Sequence, residues 1–233
     1  MICLICACKE ELNAMAQLCT QLEPLSNRPY PAYHGRLHGQ EISLALCGVG
    51  KAYAASTVTD LINRDHPNLI INVGSAGGLR PNQEIGDLIV AEKTSYHDLC
   101  FNAHDPHEDL HAYSFETADE DVSLFCDCLK ELSLPFHRGH LISGDLFVMT
   151  QAQYQKILDL APDAIAADME SNAILQIATR YRVPCLVLRG LSDIALRENP
   201  SDFDRYIKKA SQNAAQTVAH FLKRRQEAAS RKS

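Results

Sequence analysis

Several features that would decide a protein's class at once are missing here. Among 233 residues no apolar run approaches the roughly 20 needed to span a bilayer, so no membrane segment is expected. No Pro/Gly/Ser-rich linker divides the chain, which predicts one domain over residues 1–233. Positive charge is scarce. The net charge is -7, and the only basic cluster is Lys223, Arg224 and Arg225, followed by Arg231 and Lys232. That distribution argues against a nucleic-acid footprint and reads as a frayed, solvated helix end. The nine cysteines are odd in number, and Cys3, Cys6, Cys47 and Cys185 fall in apparent strands. Reduced, space-filling thiols fit this better than a disulfide framework. Cys126-Asp-Cys128 lacks the spacing of a zinc knuckle. The short apolar start, Met1 to Ala7, has no basic region before it, and so reads as a strand rather than a signal peptide. A soluble cytoplasmic protein is expected.

What is present is an alternation of buried strands and amphipathic helices. Ile2 to Ala7 reads as a strand, followed by a helix from Lys9 with Leu12, Met15 and Ala16 inward. Pro24 to Pro31 reads as a loop, and Tyr33 to Leu37 and Ile42 to Cys47 read as a pair turning at His38-Gly39. Further strands are expected at Leu69 to Val73, Leu88 to Ala91, Arg138 to Ser143, Ala164 to Ala167 and Cys185 to Leu188. Helices are expected at Ala52 to Asn63, Asp119 to Leu132, Gln153 to Leu160 and Ser171 to Tyr181. A long helix from Asp202 to Ala228 is expected to close the chain, with Pro200-Ser201 at its start. Such alternation predicts an α/β protein whose mostly parallel sheet is covered on both faces.

Ligands of open α/β sheets bind at the carboxyl edge, so the strand endings carry the functional signal. Five endings are polar or glycine-rich: Cys8 to Glu11, Gly74 to Gly78, Gly144 to Val148, Asp168 to Glu170, and Arg189 to Asp193. They would deliver Glu11, Ser75, Glu170, Arg189 and Asp193 to one acid-rich pocket. Glycines around Ala76 and Gly77 would let a ligand approach backbone N–H groups. Two carboxylates in different surroundings can divide general-acid and general-base work, and a carboxylate such as Glu170 can accept both vicinal hydroxyls of a ribose. Other chemistries find no support. Gly48 to Lys51 lacks the first glycine of a P-loop, with Ala52 where Ser or Thr belongs, and Gly74 to Gly78 is not a dinucleotide fingerprint. Ser75 and Ser192 lack a nucleophile elbow. The His- and acid-rich stretch Tyr96 to Tyr113 has no ligand spacing for a metal and reads as a lid or interface loop. Attack by an activated water fits these residues better than acyl-enzyme chemistry.

Four motifs, Asn72-Val-Gly-Ser-Ala-Gly-Gly-Leu79, Ser143-Gly-Asp-Leu-Phe147, Asp168-Met-Glu170 and Arg189-Gly-Leu-Ser-Asp193, resemble the nucleoside phosphorylase superfamily. Within it the chain is most similar to the 5′-methylthioadenosine/S-adenosylhomocysteine nucleosidases. The likeness runs from Ile2 through the final helix with the motifs in family order. It implies a single-domain three-layer αβα fold with a mostly parallel, mixed, twisted sheet flanked by helices. It also implies hydrolysis of 5′-substituted adenosines (5′-methylthioadenosine, S-adenosylhomocysteine, 5′-deoxyadenosine) to adenine and the substituted ribose, with neither cofactor nor metal. By the resemblance Asp193 protonates adenine N7, assisted by Ser192, while Glu11 activates water near Arg189 and Ser75. Met169 and Glu170 match ribose contacts, Phe147 stacks on adenine, and the Val148 backbone reads its edge. Cys8, Val49, Phe101 and His104 match the 5′-substituent pocket, the last two reaching in from a partner subunit of a homodimer.

Two departures from the family pattern bear on the substrate. Cys8 stands where an apolar residue is usual, and His104-Asp105-Pro106 replaces an aromatic and a Gly/Tyr-rich loop. The His among so many acids makes the 5′ pocket more polar than a methylthio group prefers, which keeps an aminodeoxyfutalosine or futalosine hydrolase of menaquinone synthesis as the alternative. A purine nucleoside phosphorylase is a further alternative, with Arg28 and Arg36 as phosphate ligands, and so is a non-catalytic nucleoside-binding protein.

Overall fold

The computed structural model describes residues 1–102, 104–117, 119–197 and 203–230. The expected helix start at Pro200-Ser201 and Asp202, and the basic Arg231 and Lys232, lie outside them. The first strand, β1 (Ile2–Cys6), shows why the sheet is central. Its residues are all buried, but they alternate between two cores, as a period of two requires. Ile2, Leu4 and Cys6 join Ile71, Leu186 and Phe221 in one apolar cluster, whereas Cys3 and Ile5 join Ile70, Val58 and Ile174 in the other. A strand buried on both faces must be apolar at every position, and this one is.

From β1 the chain runs through α1 (Lys9–Ala16), β2 (Thr20–Pro24), β3 (Ala32–Leu37), β4 (Gln40–Leu46) and α2 (Lys51–Asp65). Next come β5 (Leu69–Gly78), β6 (Leu88–Tyr96), α3 (Pro106–Ala112), β7 (Phe115–Glu116), α4 (Asp119–Glu131) and β8 (Phe136–Ser143). The last part comprises α5 (Gln151–Leu160), β9 (Ala164–Asp168), α6 (Ser171–Arg180), β10 (Cys185–Ile194) and α7 (Phe203–Ser230). The expected elements are all present, with three additions, one of them the two-residue β7 paired to β6. β2 is a short, largely exposed edge strand whose sequence, Thr-Gln-Leu-Glu-Pro, carries no apolar alternation. α3 lies inside the stretch read as a loop, where Asp105 caps it by accepting from the amides of His107 and Glu108 and Pro106 sits in its first turn.

The sheet is mixed, with a parallel centre. β1 lies between β4 and β5 in parallel, and β5 continues in parallel to β10. β10 turns antiparallel onto β6, and parallel pairs then lead from β6 to β8 and from β8 to β9. A short antiparallel contact returns β9 to the far end of β5, at Gly77 and Gly78. Strands β5, β10, β6, β8 and β9 therefore close on themselves. The cluster of Ala76, Ile89, Leu141, Ala166, Val187 and Leu191 draws on all five and fills the ring. α1, α4 and α7 cover one face, with Phe125 and Phe221 stacked at 4.1 Å between ring centroids, while α2 and α6 cover the other.

Closure of the ring changes how two motifs are built. Gly74 to Gly78 and Arg189 to Ile194 are not endings that follow strands. Both are strand, paired with each other from Arg189 against Gly74 to Ile194 against Gly78. The register slips between Leu191 and Asp193, leaving Ser192 as the extra residue of a bulge.

Candidate functional site

A cavity of about 380 Å³ opens at the carboxyl ends of β1, β5, β9 and β10. Its wall includes Cys8, Glu11, Val49, Ser75, Ala76, Gly77, Phe147, Val148, Met169, Glu170, Ser192 and Asp193. Twelve of the fifteen residues singled out in the sequence are thus brought together. The wall also carries Asp168, so four acids face a space whose remaining lining is mostly apolar, and neither Lys nor Arg is among the described residues that line it.

Glu11 is placed by the start of α1. Its Oε2 accepts the Ala7 and Cys8 amides at 2.7 and 3.1 Å, closing a capping box on Cys8. Oε1 reaches across to β5 and accepts both the amide and the hydroxyl of Ser75, each at 2.8 Å. A carboxylate held by four donors has one orientation. Gly74 makes room for it, since a Cβ there would lie 2.7 Å from Glu11 Oε1 and collide with Arg189 Nη1. Cys8 half-lines the same corner, its thiol pushed well up by burial and by the nearby Glu11.

Glu170 precedes α6 but does not cap it. Its Oε1 accepts the Gly50 amide at 2.8 Å, and Oε2 lies 3.5 Å from Arg189 Nη2. Asp168 takes the helix instead, accepting the Ser171 amide at 3.3 Å, the Ser143 hydroxyl at 2.5 Å and Arg189 Nη2 at 2.6 Å. Burial pushes the Glu170 carboxyl up to about 7, opposed by Arg189 and reinforced by Asp168.

Arg189 differs from its expected setting. It is fully buried beneath the cavity floor and does not line the cavity. Asn72 Oδ1 accepts its Nη2 at 2.7 Å, and Ser171 Oγ accepts Nε and Nη2 at 3.1 and 3.0 Å. Nη1 has no hydrogen-bond partner among the described residues. Burial pulls the guanidinium's pKa down, but the neighbouring Asp168, Glu170 and Glu11 outweigh it and push it up. Asn72 and Ser171 were not singled out as site residues from the sequence. Asn72 is a polar residue inside the apolar run Leu69 to Val73, which is the signal that could have found it; Ser171 carries no such signal.

Asp193 sits across the cavity. Ser192 Oγ donates to its Oδ1 at 2.9 Å, and a Cβ on Gly77 would lie 2.8 Å from its Oδ2. Burial beside apolar walls raises its carboxyl above the ordinary range, against the Ser192 hydrogen bond. The bulge at Ser192 makes this placement, because strict alternation would aim Asp193 the same way as the wholly buried Arg189 and Leu191.

Phe101 and His104 are not in this cavity. Phe101 is 72% exposed and leans on Tyr113, with centroids 5.7 Å apart, and His104 is exposed. The acids of that stretch are used by the backbone: Asp109 accepts the Phe101 and Asn102 amides at 2.6 and 2.8 Å. Arg28 and Arg36 are also elsewhere. Arg28 is buried against Asp60 and Asp65, and Arg36 pairs with Glu41 at 3.2 Å. A Ser–His–Asp chain does exist, with Ser95 Oγ 2.6 Å from His140 Nε2 and His140 Nδ1 2.9 Å from Asp163. Ser95 is wholly buried and outside the cavity wall, so this chain cannot meet a substrate there.

The family model described as the phosphorylase superfamily matches residues 1–223. A 5′-methylthioadenosine/S-adenosylhomocysteine nucleosidase of Staphylococcus carnosus is 33% identical over 235 aligned positions, covering 96% of this chain and 99% of its own. The corresponding nucleosidase of Neisseria meningitidis, solved with methylthio-immucillin-A, superposes with a TM-score of 0.88 at 27% identity, covering 95% of this chain and 98% of that one. A futalosine hydrolase of Helicobacter pylori also superposes with a TM-score of 0.88, at 25% identity, covering 96% and 97%. With that extent of likeness, and with its motifs gathered around one cavity, this chain belongs to the phosphorylase superfamily and, within it, to the family of the 5′-methylthioadenosine/S-adenosylhomocysteine nucleosidases.

Proposed function

We propose that the chain hydrolyses the N-glycosidic bond of 5′-substituted adenosines, releasing adenine. The observation that carries this is the division of the acids. Asp193 is favoured in its protonated form by burial, while Glu11 is fixed by four donors on the opposite side. Asp193 gives its proton to adenine N7 as the C1′–N9 bond breaks, so the bond's electrons leave on a neutral base. Glu11 takes a proton from the water whose oxygen bonds to C1′. Positive charge builds on the ribose ring between these events, and Glu11 and Glu170 stabilise it across a low-dielectric space. Arg189, beneath the floor, keeps the neighbouring carboxylates from repelling one another. Glu170 and Met169 hold the sugar, Phe147 stacks on the base, and the Val148 backbone reads the base edge, with Ala76 and Gly77 beneath it.

A phosphate nucleophile fits poorly. Among the described residues four acids and no cation line the cavity, and the arginines considered for phosphate are engaged elsewhere. The 5′ end is assigned to Cys8 and Val49, completed by Phe101 and His104 of a partner subunit in a cytoplasmic homodimer. Exposed apolar side chains around the mouth support such a partner: Val49, Leu146, Phe147 and Met149, with Tyr53 beside the Gly48 turn. Futalosine-type substrates are the second reading because a futalosine hydrolase shares this fold closely. A panel of 5′-substituted adenosines and aminodeoxyfutalosine, with and without phosphate, tests both. Adenine release from 5′-methylthioadenosine without phosphate is expected. Strict phosphate dependence, or release from aminodeoxyfutalosine alone, would overturn the leading reading.

A further inference from the structure

The loop that carries Phe147 and Val148 leaves β8 at Gly144, and its first side chain is caught at the start of α2. Asp145 Oδ1 accepts the Lys51 amide at 2.8 Å, and its Oδ2 lies 3.7 Å from Lys51 Nζ. The Asp145 amide in turn donates to Asp98 Oδ2 at 2.8 Å, and that same oxygen takes Lys51 Nζ at 2.6 Å. Helix α2, the segment after β6 and the base-side loop thus meet in one charged cluster.

One residue before Lys51, the Gly50 amide holds Glu170 Oε1 at 2.8 Å. Two successive amides of one helix start therefore hold the sugar-side carboxylate and the root of the base-side loop. The backbone that presents them is unusual. Gly50 has φ +99°, and a Cβ there would sit 3.0 Å from Asp145 Oδ1. Side-chain exposures of 26% for Lys51, 25% for Asp98 and 50% for Asp145 mean that these ion pairs add little to global stability. Their geometry bears on the cavity instead.

We propose that Asp145 and Lys51 are positioning residues that couple the base-side loop to Glu170 through the start of α2, so that base and sugar are gripped in one register. This rests on the nucleosidase reading above. Three variants, Asp145→Ala, Asp145→Asn and Lys51→Met, test it by kinetics on 5′-methylthioadenosine, calorimetric binding of adenine and thermal unfolding. Asp145→Ala should raise KM and the adenine Kd about tenfold, with kcat within about threefold of wild type, as loss of one charge-assisted bond in a binding loop predicts. Asp145→Asn keeps an acceptor for the Lys51 amide and should stay within about threefold throughout. Lys51→Met should raise KM and Kd too, and combining it with Asp145→Ala should add less than the two separate effects together. The coupling is overturned if KM and Kd do not move in Asp145→Ala, if kcat and thermal stability fall in step with them, or if Asp145→Asn is no better than Asp145→Ala. A wild-type protein that binds adenine without cleaving 5′-methylthioadenosine would sink the nucleosidase reading alone, because the adenine Kd of Asp145→Ala still decides the coupling. A wild type that neither binds nor cleaves overturns both.

Discussion

Glu170 shows how surroundings set what one carboxylate can do. An exposed glutamate is ionised well below neutrality, but here burial dominates and lifts the group from 4.5 to about 7. Between those values the folded chain holds a proton that the unfolded chain has released. This group's contribution to stability is therefore full below about 4.5 and is lost as pH rises through 7. Binding runs the other way, because only the ionised form accepts both ribose hydroxyls. KM for 5′-methylthioadenosine is expected to fall as pH rises through about 7. In Glu170→Gln it should be higher by about tenfold and flat across that range. Kinetics between pH 5.5 and 8 check this, and an unchanged slope in the variant would remove Glu170 from the sugar site. Glu11, Glu170 and Asp193 were legible in the sequence because acids at strand endings are rarely there for packing. The support under them was less so. Asn72 and Ser171 matter only through Arg189, and that dependence exists only in three dimensions.

At the scale of elements, β5 and β10 were half legible. The apolar halves, Leu69 to Val73 and Cys185 to Leu188, read as strands, but the halves that build the site did not. Glycine disfavours strand locally, so the strand was expected to stop at Val73, with Gly74 to Gly78 as its ending. Its partner lies more than a hundred residues along the chain, and pairing with it overrides the local preference. The glycines are there for close approach: Gly74 leaves room for Glu11 and Arg189, and Gly77 for Asp193. Gly190 serves the other side. A Cβ there would lie 2.5 Å from the backbone oxygen of Ala210 in α7, a contact that no side-chain rotation relieves. Gly190→Ala should therefore destabilise the protein by about 1–3 kcal/mol, through displacement of α7 from β10. Denaturant unfolding measures it, and a midpoint matching wild type would show that β10 tolerates the shift.

At the scale of the whole molecule, the alternation of elements revealed the layers but not the closed ring, because a two-residue contact at Gly77 and Gly78 completes it. The single-chain site has an open apolar side, where Val49, Tyr53 and Met149 are 55%, 66% and 57% exposed. A dimer through that side is expected by light scattering, and Tyr53→Glu should shift it toward monomer while raising KM for 5′-methylthioadenosine. Full activity in a monomeric wild type would refute the shared pocket. The central claim, however, is chemical: that a buried, protonated Asp193 makes adenine able to leave. Asp193→Asn keeps the shape and the contact with Ser192 but has no acidic proton to give. The direct measurement is adenine released from 5′-methylthioadenosine by this variant, at matched adenine binding and thermal stability. A loss of about 10³-fold in kcat is the result predicted for removal of a general acid. Turnover within about threefold of wild type would contradict the account.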